Sequence, residues 1–150
     1  MNWLFLSIIA LIIIVTVGAI VLIWKANSPQ VYLYYNKGAN PTTLTEAQNI
    51  AAAPALGGQM ATSAQVQAAQ QAGAQWCAAG WASDGNVYFP MQSAVAGCGS
   101  PGINQGSCST YGNDCGVLVY GKKPSSGTAN VLPFNGSQWS QWKWYEPAHS

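Results

Sequence analysis

The stretch "AGAQWCAAGWASDGNVYFPM", residues 72–91, holds two tryptophans, a cysteine and an aromatic run that ends at Pro90. The Asp84-Gly85 pair within it is typical of a tight turn. The residues after that pair have the β-branched and aromatic composition of a strand. This pattern is too specific for an irregular loop, and it contains no obvious catalytic group. It predicts the centre of a folded domain, and the rest of the chain indicates which kind.

Residues 1–24 form a separate segment, because no side chain from Met1 to Trp24 is charged. At about 1.5 Å per residue, a helix of this length crosses a hydrocarbon core of about 30 Å. Trp3 and Trp24 stand near its ends, where indoles favour the membrane interface. We expect a transmembrane helix over 1–24 and a linker over 25–29. The alternative, a cleaved secretory signal, is disfavoured by the long apolar run and by the lack of basic residues before it.

The charge of the chain excludes one class of function and gives conflicting indications about location. The sequence has five basic and four acidic residues and a net charge of +1, so no basic surface is expected to bind nucleic acid. Lys25 and Lys37 both follow the apolar segment, which favours a cytoplasmic domain. The four cysteines instead favour an oxidising compartment.

Two capping boxes predict two helices in the remainder of the chain. Thr43 is followed three residues later by Glu46, and Thr62 is followed in the same way by Gln65. Strands are expected around these helices, at 30–35, 59–62, 86–90 and 116–121, with further strands at 130–134 and 138–145. Residues 91–115 are predicted to form a loop. The order indicates an α+β domain, with two helices packed against a small antiparallel sheet.

Several motifs resemble the Link module, the hyaluronan-binding domain of extracellular matrix proteins and receptors. They are "LTEAQ" (44–48), "MAT..QVQAA" (60–69), "G..WCAAGW" (73–81), "DGNVYFP" (84–90) and "GVLVYG" (116–121), in the family's order. The resemblance covers the chain from about residue 31 to residue 145. It implies a Link-like domain, of the C-type-lectin-like kind, over 30–150. It also places Trp81 in the core and lets Cys77 anchor the neighbouring strand region.

The cysteines depart from the pattern that the resemblance implies. Link modules pair their first cysteine with the fourth and the second with the third; here the first and fourth places, near Ala51 and Lys143, hold no cysteine. The second and third match Cys77 and Cys98. Cys108 and Cys115 lie in a longer loop, and they most simply pair with each other. The rival use, a zinc site, lacks a C-x-x-C pair and a nearby histidine.

The resemblance also locates the positions that bind hyaluronan in Link modules. Such modules use cations to meet the carboxylates of the polymer and aromatic side chains to stack on its rings. The matching positions here are Ala39, Asn40, Phe89, Cys115 and Leu118, and the turn that carries basic residues in the family holds Asp84 and Asn86. We therefore expect the Link fold without hyaluronan binding.

No enzyme or cofactor site is predicted. The single histidine, His149, stands next to the end of the sequence, and "GCGSPG" (97–102) matches a glycine-rich nucleotide motif without the required helix. Asn135 begins a triplet that accepts N-glycosylation if its loop is luminal. Trp142 and Trp144 share one face of a predicted strand, where they pack in the core or form an exposed aromatic platform.

These observations favour a membrane-anchored structural protein. The combination of a short anchor, disulfides and low charge fits a minor capsid protein that joins the internal membrane of a large DNA virus to its capsid. Its partners would be the bilayer, through residues 1–24, and neighbouring structural proteins. One alternative is a lectin-like adhesion protein at a cell or virion surface that uses Tyr88, Phe89, Tyr111 and Tyr120. The other alternative is a cell-surface receptor module.

Overall fold

The computed structural model describes residues 3–27, 29–36, 38–122 and 131. The expected strand at 138–145, Asn135, Trp142, Trp144 and His149 lie outside these residues. Of the expected strand at 130–134, only Val131 is described, and it forms an isolated antiparallel bridge with Tyr34.

The first element is a long apolar helix, α1 (Trp3–Asn27). Its segment Trp3–Trp24 is long and apolar enough to cross a membrane, and none of that segment is buried in the structure. The hydroxyl groups of Ser7 and Thr16 donate to backbone carbonyls one turn earlier, at 3.0 and 2.9 Å. Such bonds satisfy the two polar side chains within the helix itself, as a hydrocarbon environment requires. The expected linker is shorter than predicted, because the helix continues to Asn27 and the first strand begins at Pro29.

The two predicted helices of the domain are α2 (Leu44–Ala51) and α3 (Ser63–Gln71). Both begin with a complete capping box, in which the threonine side chain accepts from the N3 backbone amide and the N3 side chain accepts in return. These reciprocal bonds satisfy amide groups that the first helical turn leaves without partners. The helices bury small and branched residues, Ala47 and Ala51 from α2 and Val66 and Ala69 from α3.

A six-stranded sheet forms the rest of the domain, in the order β1-β6-β3-β4-β5 with β2 also paired to β6. The strands are β1 (Pro29–Tyr34), β2 (Gly58–Met60), β3 (Gly80–Trp81), β4 (Val87–Met91), β5 (Gly102–Gly106) and β6 (Gly116–Lys122). The expected α+β class is confirmed. The sheet is mixed rather than purely antiparallel, because β3 runs parallel to β6.

Two paired glycines at the centre of the sheet allow β1 to approach closely. Gly80 pairs with Gly116. A Cβ atom on Gly80 would lie 2.6 Å from Leu33 Cδ1, and one on Gly116 would overlap the carbonyl oxygen of Tyr34. A side chain at Gly116 would therefore force β1 away from β6, whereas one at Gly80 would displace the side chains of Leu33 and Leu118.

The core differs from the prediction in its central tryptophan. Trp76 is fully buried, whereas Trp81 is only partly buried and donates its indole N–H to the carbonyl of Pro41 at 3.3 Å. The expectation that Trp81 forms the core is therefore corrected. The indole N–H of Trp81 needs a polar partner, and the carbonyl of Pro41 provides one nearer the surface.

The segment predicted as a loop, 91–115, contains regular structure. It includes β5, which extends the sheet beyond β4, and a short 3-10 helix at Cys108–Tyr111. Disulfides join Cys77 to Cys98 and Cys108 to Cys115, which are the two expected pairs, and no described cysteine is free. The first disulfide attaches this segment to the region beside Trp76, and the second closes the 3-10 turn immediately before β6.

Candidate binding site

The carboxylate of Asp114 links two loops at one end of the sheet. It accepts from the hydroxyl of Tyr35 at 2.7 Å, from the side-chain amide of Asn40 at 2.8 Å and from the backbone amide of Gly38 at 3.4 Å. Asp114 directly precedes Cys115, so the turn between β1 and α2 is attached to the loop closed by the Cys108–Cys115 disulfide. Burial, together with the hydrogen bond and the charge of Asp114, raises the pKa of Tyr35 well above its usual range.

Both the oxygen and the nitrogen of the Asn40 side-chain amide form hydrogen bonds. Its oxygen accepts from the backbone amide of Asn36 at 2.7 Å, while its nitrogen donates to Asp114. The backbone amide of Ala39 also donates to the carbonyl of Asn36, at 2.8 Å. The turn is therefore fixed from within and from the neighbouring loop.

A shallow groove of about 470 Å³ lies between this turn and α2. Its volume is within the range of small-molecule sites, roughly 300–1,000 Å³. The lining combines apolar and polar groups, and none of the lining residues that the structure describes is basic: they include Ala39, Asn40, Pro41, Glu46, Asn49 and Ile50.

Glu46 is held in place at the edge of the groove by the start of α2. Its Oε2 atom accepts from the backbone amides of Thr42 and Thr43, at 2.8 and 3.2 Å, and from the hydroxyl of Thr42 at 3.1 Å. The hydrogen bonds from Thr42, followed by those from Thr43, hold the pKa of the Glu46 carboxyl below its ordinary value. The groove thus has a fixed, ionised carboxylate at neutral pH.

The positions that correspond to hyaluronan-binding residues do not form a polyanion site. Phe89 is 5 % exposed, Leu118 is fully buried in the core, and Cys115 is buried in its disulfide. Asn40 is bonded to Asp114, and Ala39 carries no polar group on its side chain. None of the five side chains at the positions matched by the resemblance is basic.

The expected aromatic contact residues do not share one surface. The rings of Phe89 and Tyr111 meet edge to face, with centroids 5.5 Å apart. Tyr88, the neighbour of Phe89 in β4, belongs to the opposite face of the sheet and is only 4 % exposed. Tyr120 is partly buried in β6, which β3 separates from β4. The structure brings together Phe89 and Tyr111, and it leaves Tyr88 and Phe89 little exposed surface for a partner.

Tyr88 instead supports the Asp84-Gly85 turn. Its hydroxyl donates to Asp84 Oδ2 at 2.6 Å, and the backbone amide of Asn86 donates to Asp84 Oδ1 at 3.0 Å. Burial alone would raise the pKa of the Asp84 carboxyl, but the hydrogen bonds from Tyr88 and Asn86 outweigh burial and hold this pKa below its ordinary value. The turn therefore carries an ionised carboxylate at neutral pH.

Two residues of this region were not predicted from the sequence. Asp114 had no motif around it, and its role depends on residues more than 70 positions away. Asn49 lines the groove from α2, and only its spacing of three residues from Glu46 placed it on the same helical face. Among the described residues, no group of histidine, cysteine, aspartate and glutamate side chains is arranged to hold a metal ion.

Comparison with known families agrees with this architecture. The sequence model of the extracellular link domain matches residues 30–124. This match covers more than half of the chain, and the chain belongs to the extracellular link domain family. The expected Link fold is confirmed, and the family is a class of non-enzymatic, carbohydrate-binding-like extracellular modules.

Proposed function

We propose that this protein is a membrane-anchored, non-enzymatic Link module that does not bind hyaluronan and that joins a membrane to a neighbouring protein layer. Helix α1 is the proposed anchor, retained in the mature protein. The proposed setting is the internal membrane of a large DNA virus, where the protein would act as a minor capsid protein.

The proposed bridging role rests on the short connection between α1 and the domain. A single residue, at position 28, separates the end of α1 from the start of β1. Such a connection is too short to act as a flexible spacer, so the domain stays close to the bilayer that holds α1. A short-range contact between a membrane and an adjacent layer suits this connection better than long-range capture of a ligand.

The charges of the chain support the proposed viral setting. Lys25 and Lys37 follow the apolar segment Trp3–Trp24, which favours a domain on the cytoplasmic side, whereas the two disulfides require thiol oxidation. Large DNA viruses that assemble in the cytoplasm often encode their own thiol oxidation, which reconciles the two observations. A low-charge surface also suits packing against neighbouring proteins.

Protease protection tests this proposal. Purified particles are treated with protease before and after the capsid shell is opened, and the domain is followed with an antibody. We expect protection of the domain until the shell is opened, and an intact mass that includes α1. Digestion of the domain on untreated particles or cells, or a mature N-terminus near residue 26, would contradict the bridging role.

Family membership favours a second candidate function, glycan binding at a cell or virion surface. In that case the domain would be accessible to added protease and would be retained on immobilised sugars. The protection experiment therefore separates the two functions.

A further inference from the structure

We propose that the Link domain itself contacts the bilayer that holds α1, and that Lys122 binds the phosphate groups of anionic phospholipids there. The contact is made by the end of the domain nearest to α1, which we call the proximal surface: Pro29, the loop 52–57 and Lys122. This inference rests on the proposed role of α1 as an anchor, and it adds a second membrane contact to that role.

The pairing of β1 with β6 places Lys122 beside the anchor. β1 begins two residues after α1 ends at Asn27, and its first residue, Pro29, pairs with Lys122. Two residues span at most about 8 Å, and paired Cα atoms of antiparallel strands lie about 5 Å apart. Lys122 is exposed and is the last residue of β6, so the strand pairing holds it at the edge of the domain nearest to α1.

The end of α1 lies at the depth of the lipid headgroups when the helix spans a bilayer. The apolar segment ends at Trp24, and the helix rises about 5 Å further to Asn27. The headgroup region on each side of the hydrocarbon core is about 5–8 Å thick. The domain therefore begins where headgroups meet water, and charges interact there over a Debye length of about 8 Å at physiological salt. Lys122 is thus close enough to be attracted by lipid phosphates.

The loop that follows α2 packs against the same end of the sheet. Gly58, directly after the loop, pairs with Gly121, and a Cβ atom on Gly121 would lie 2.9 Å from the Cα atom of Gly58. The loop is therefore held beside the residue that precedes Lys122. Its exposed residues are small and uncharged: Ala52, Pro54, Ala55 and Gly57. Such a loop can approach the headgroups without removing a charged group from water.

Two of the three described carboxylates lie at the opposite end of the domain. Asp114 accepts from Tyr35, which follows the last residue of β1. Glu46 is held in the first turn of α2, whereas the loop 52–57 follows the last turn of that helix. Both carboxylates are therefore separated from the proximal surface by the length of an element.

The third described carboxylate, Asp84, is also near the start of α2. A Cβ atom on the next residue, Gly85, would lie 3.6 Å from the side chain of Leu44, where α2 begins. The described charges are therefore unevenly distributed along the domain, with the carboxylates toward one end and Lys122 at the other. An anionic membrane surface attracts the basic end and repels the acidic end, which orients the domain on the bilayer.

The sequence places two more lysines next to this position. Lys25 belongs to the last turn of α1, and Lys123 follows Lys122. Each lysine near an anionic surface strengthens attachment about fivefold. Because α1 keeps the headgroups at a high effective concentration, a few lysines are enough to hold the domain. A soluble phosphate lacks this advantage, so the expected partner is a phospholipid of the bilayer.

The test uses the full chain in nanodiscs of phosphatidylcholine, alone or with about 30 % phosphatidylserine. Hydrogen exchange of residues 52–58 is followed by mass spectrometry at 50 and 500 mM salt. Lys122→Gln removes the charge from the proximal surface, and Lys122→Arg keeps it. Lys37→Gln is the matched control, because the sequence neighbours of Lys37 belong to the turn that Asp114 holds at the opposite end. Inorganic phosphate, added to neutral nanodiscs, tests a soluble source of the same group.

We expect residues 52–58 to exchange more slowly in anionic than in neutral nanodiscs at 50 mM salt, and equally in both at 500 mM. Lys122→Gln should reduce the protection about fivefold, whereas Lys122→Arg and Lys37→Gln should keep it. Inorganic phosphate should give no protection in neutral nanodiscs.

Three results would overturn the proposal: equal exchange in neutral and anionic nanodiscs, protection by inorganic phosphate alone, or equal protection in Lys122→Gln and Lys37→Gln. Co-elution of the full chain with nanodiscs tests the anchor separately. A chain that does not co-elute contradicts the anchoring role of α1, and this inference with it. A chain that co-elutes but exchanges equally in both lipids contradicts only the contact made by the proximal surface.

Discussion

At the scale of single residues, two aspartates hold neighbouring loops of the Link domain in place. Asp114 accepts three hydrogen bonds from the turn between β1 and α2, and Asp84 accepts from Tyr88 and Asn86. Both carboxylates are used within the fold.

Replacing Asp114 with asparagine should loosen the 36–40 turn. The variant loses a charged acceptor shared by Tyr35 and Asn40, and such losses cost on the order of 1–3 kcal/mol. We expect a reduced free energy of unfolding in denaturant, together with a lower pKa of Tyr35 in an ultraviolet titration, because burial alone then raises it. Tyr35→Phe removes one donor and should cost less. An Asp114→Asn variant as stable as the parent chain would show that the turn is held by other contacts.

We expect the stability of the folded domain to depend on pH through the carboxyl group of Asp84. Its pKa is lower in the folded state than its ordinary value, so the ionised carboxylate stabilises the fold above that value. This contribution is lost as the pH falls through the lowered pKa. We expect the unfolding temperature to decrease below about pH 4. The decrease should be smaller in Asp84→Asn and in Tyr88→Phe, and identical pH profiles for all three chains would contradict this role of Asp84.

At the scale of elements, local chemistry determines the helices and non-local contacts determine much of the sheet. The capping boxes at Thr43 and Thr62 are complete within four residues, which is why α2 and α3 could be predicted from sequence. β5 has the sequence GINQG, without alternation or β-branched runs. This segment is a strand because it forms backbone hydrogen bonds with β4. The parallel pairing of β3 with β6 depends on residues 36 positions apart, so no local pattern reveals it.

The same difference between local and non-local contacts explains which parts of the candidate site could be predicted from the sequence. The resemblance allowed us to predict from the sequence that the hyaluronan positions are replaced. It could not show the groove, because the groove requires the turn, α2 and Asp114 to meet. Nor could it distinguish Trp76 from Trp81 as the core residue, since both stand in the same motif and differ in tertiary contacts.

The two disulfides should make unequal contributions to the elements that they join. Replacing both Cys77 and Cys98 with serine should cost about 2–5 kcal/mol across the domain, since that disulfide attaches the 91–101 segment beside the core. Replacing Cys108 and Cys115 should instead increase hydrogen exchange in 107–114. Through Asp114, the increase should extend to the 36–40 turn. Exchange confined to 107–114 would show that Asp114 does not couple the two loops.

At the scale of the whole molecule, the proposed role rests on two observed features and one expectation. The features are an apolar helix and a Link domain that follows it after one residue. The expectation is that the family's ligand residues are replaced. The helix and the short connection favour a role close to a membrane. We expect the five positions matched to the family's ligand residues to provide little electrostatic attraction for a polyanion, since none of them is basic.

The central claim is that this Link module does not bind hyaluronan, and a direct titration tests it. The full chain in lipid nanodiscs is titrated with hyaluronan oligomers at low salt, where electrostatic attraction is strongest. We expect no saturable binding. A dissociation constant tighter than about 10 μM, roughly −7 kcal/mol, would contradict this expectation and show that the protein binds the family's ligand.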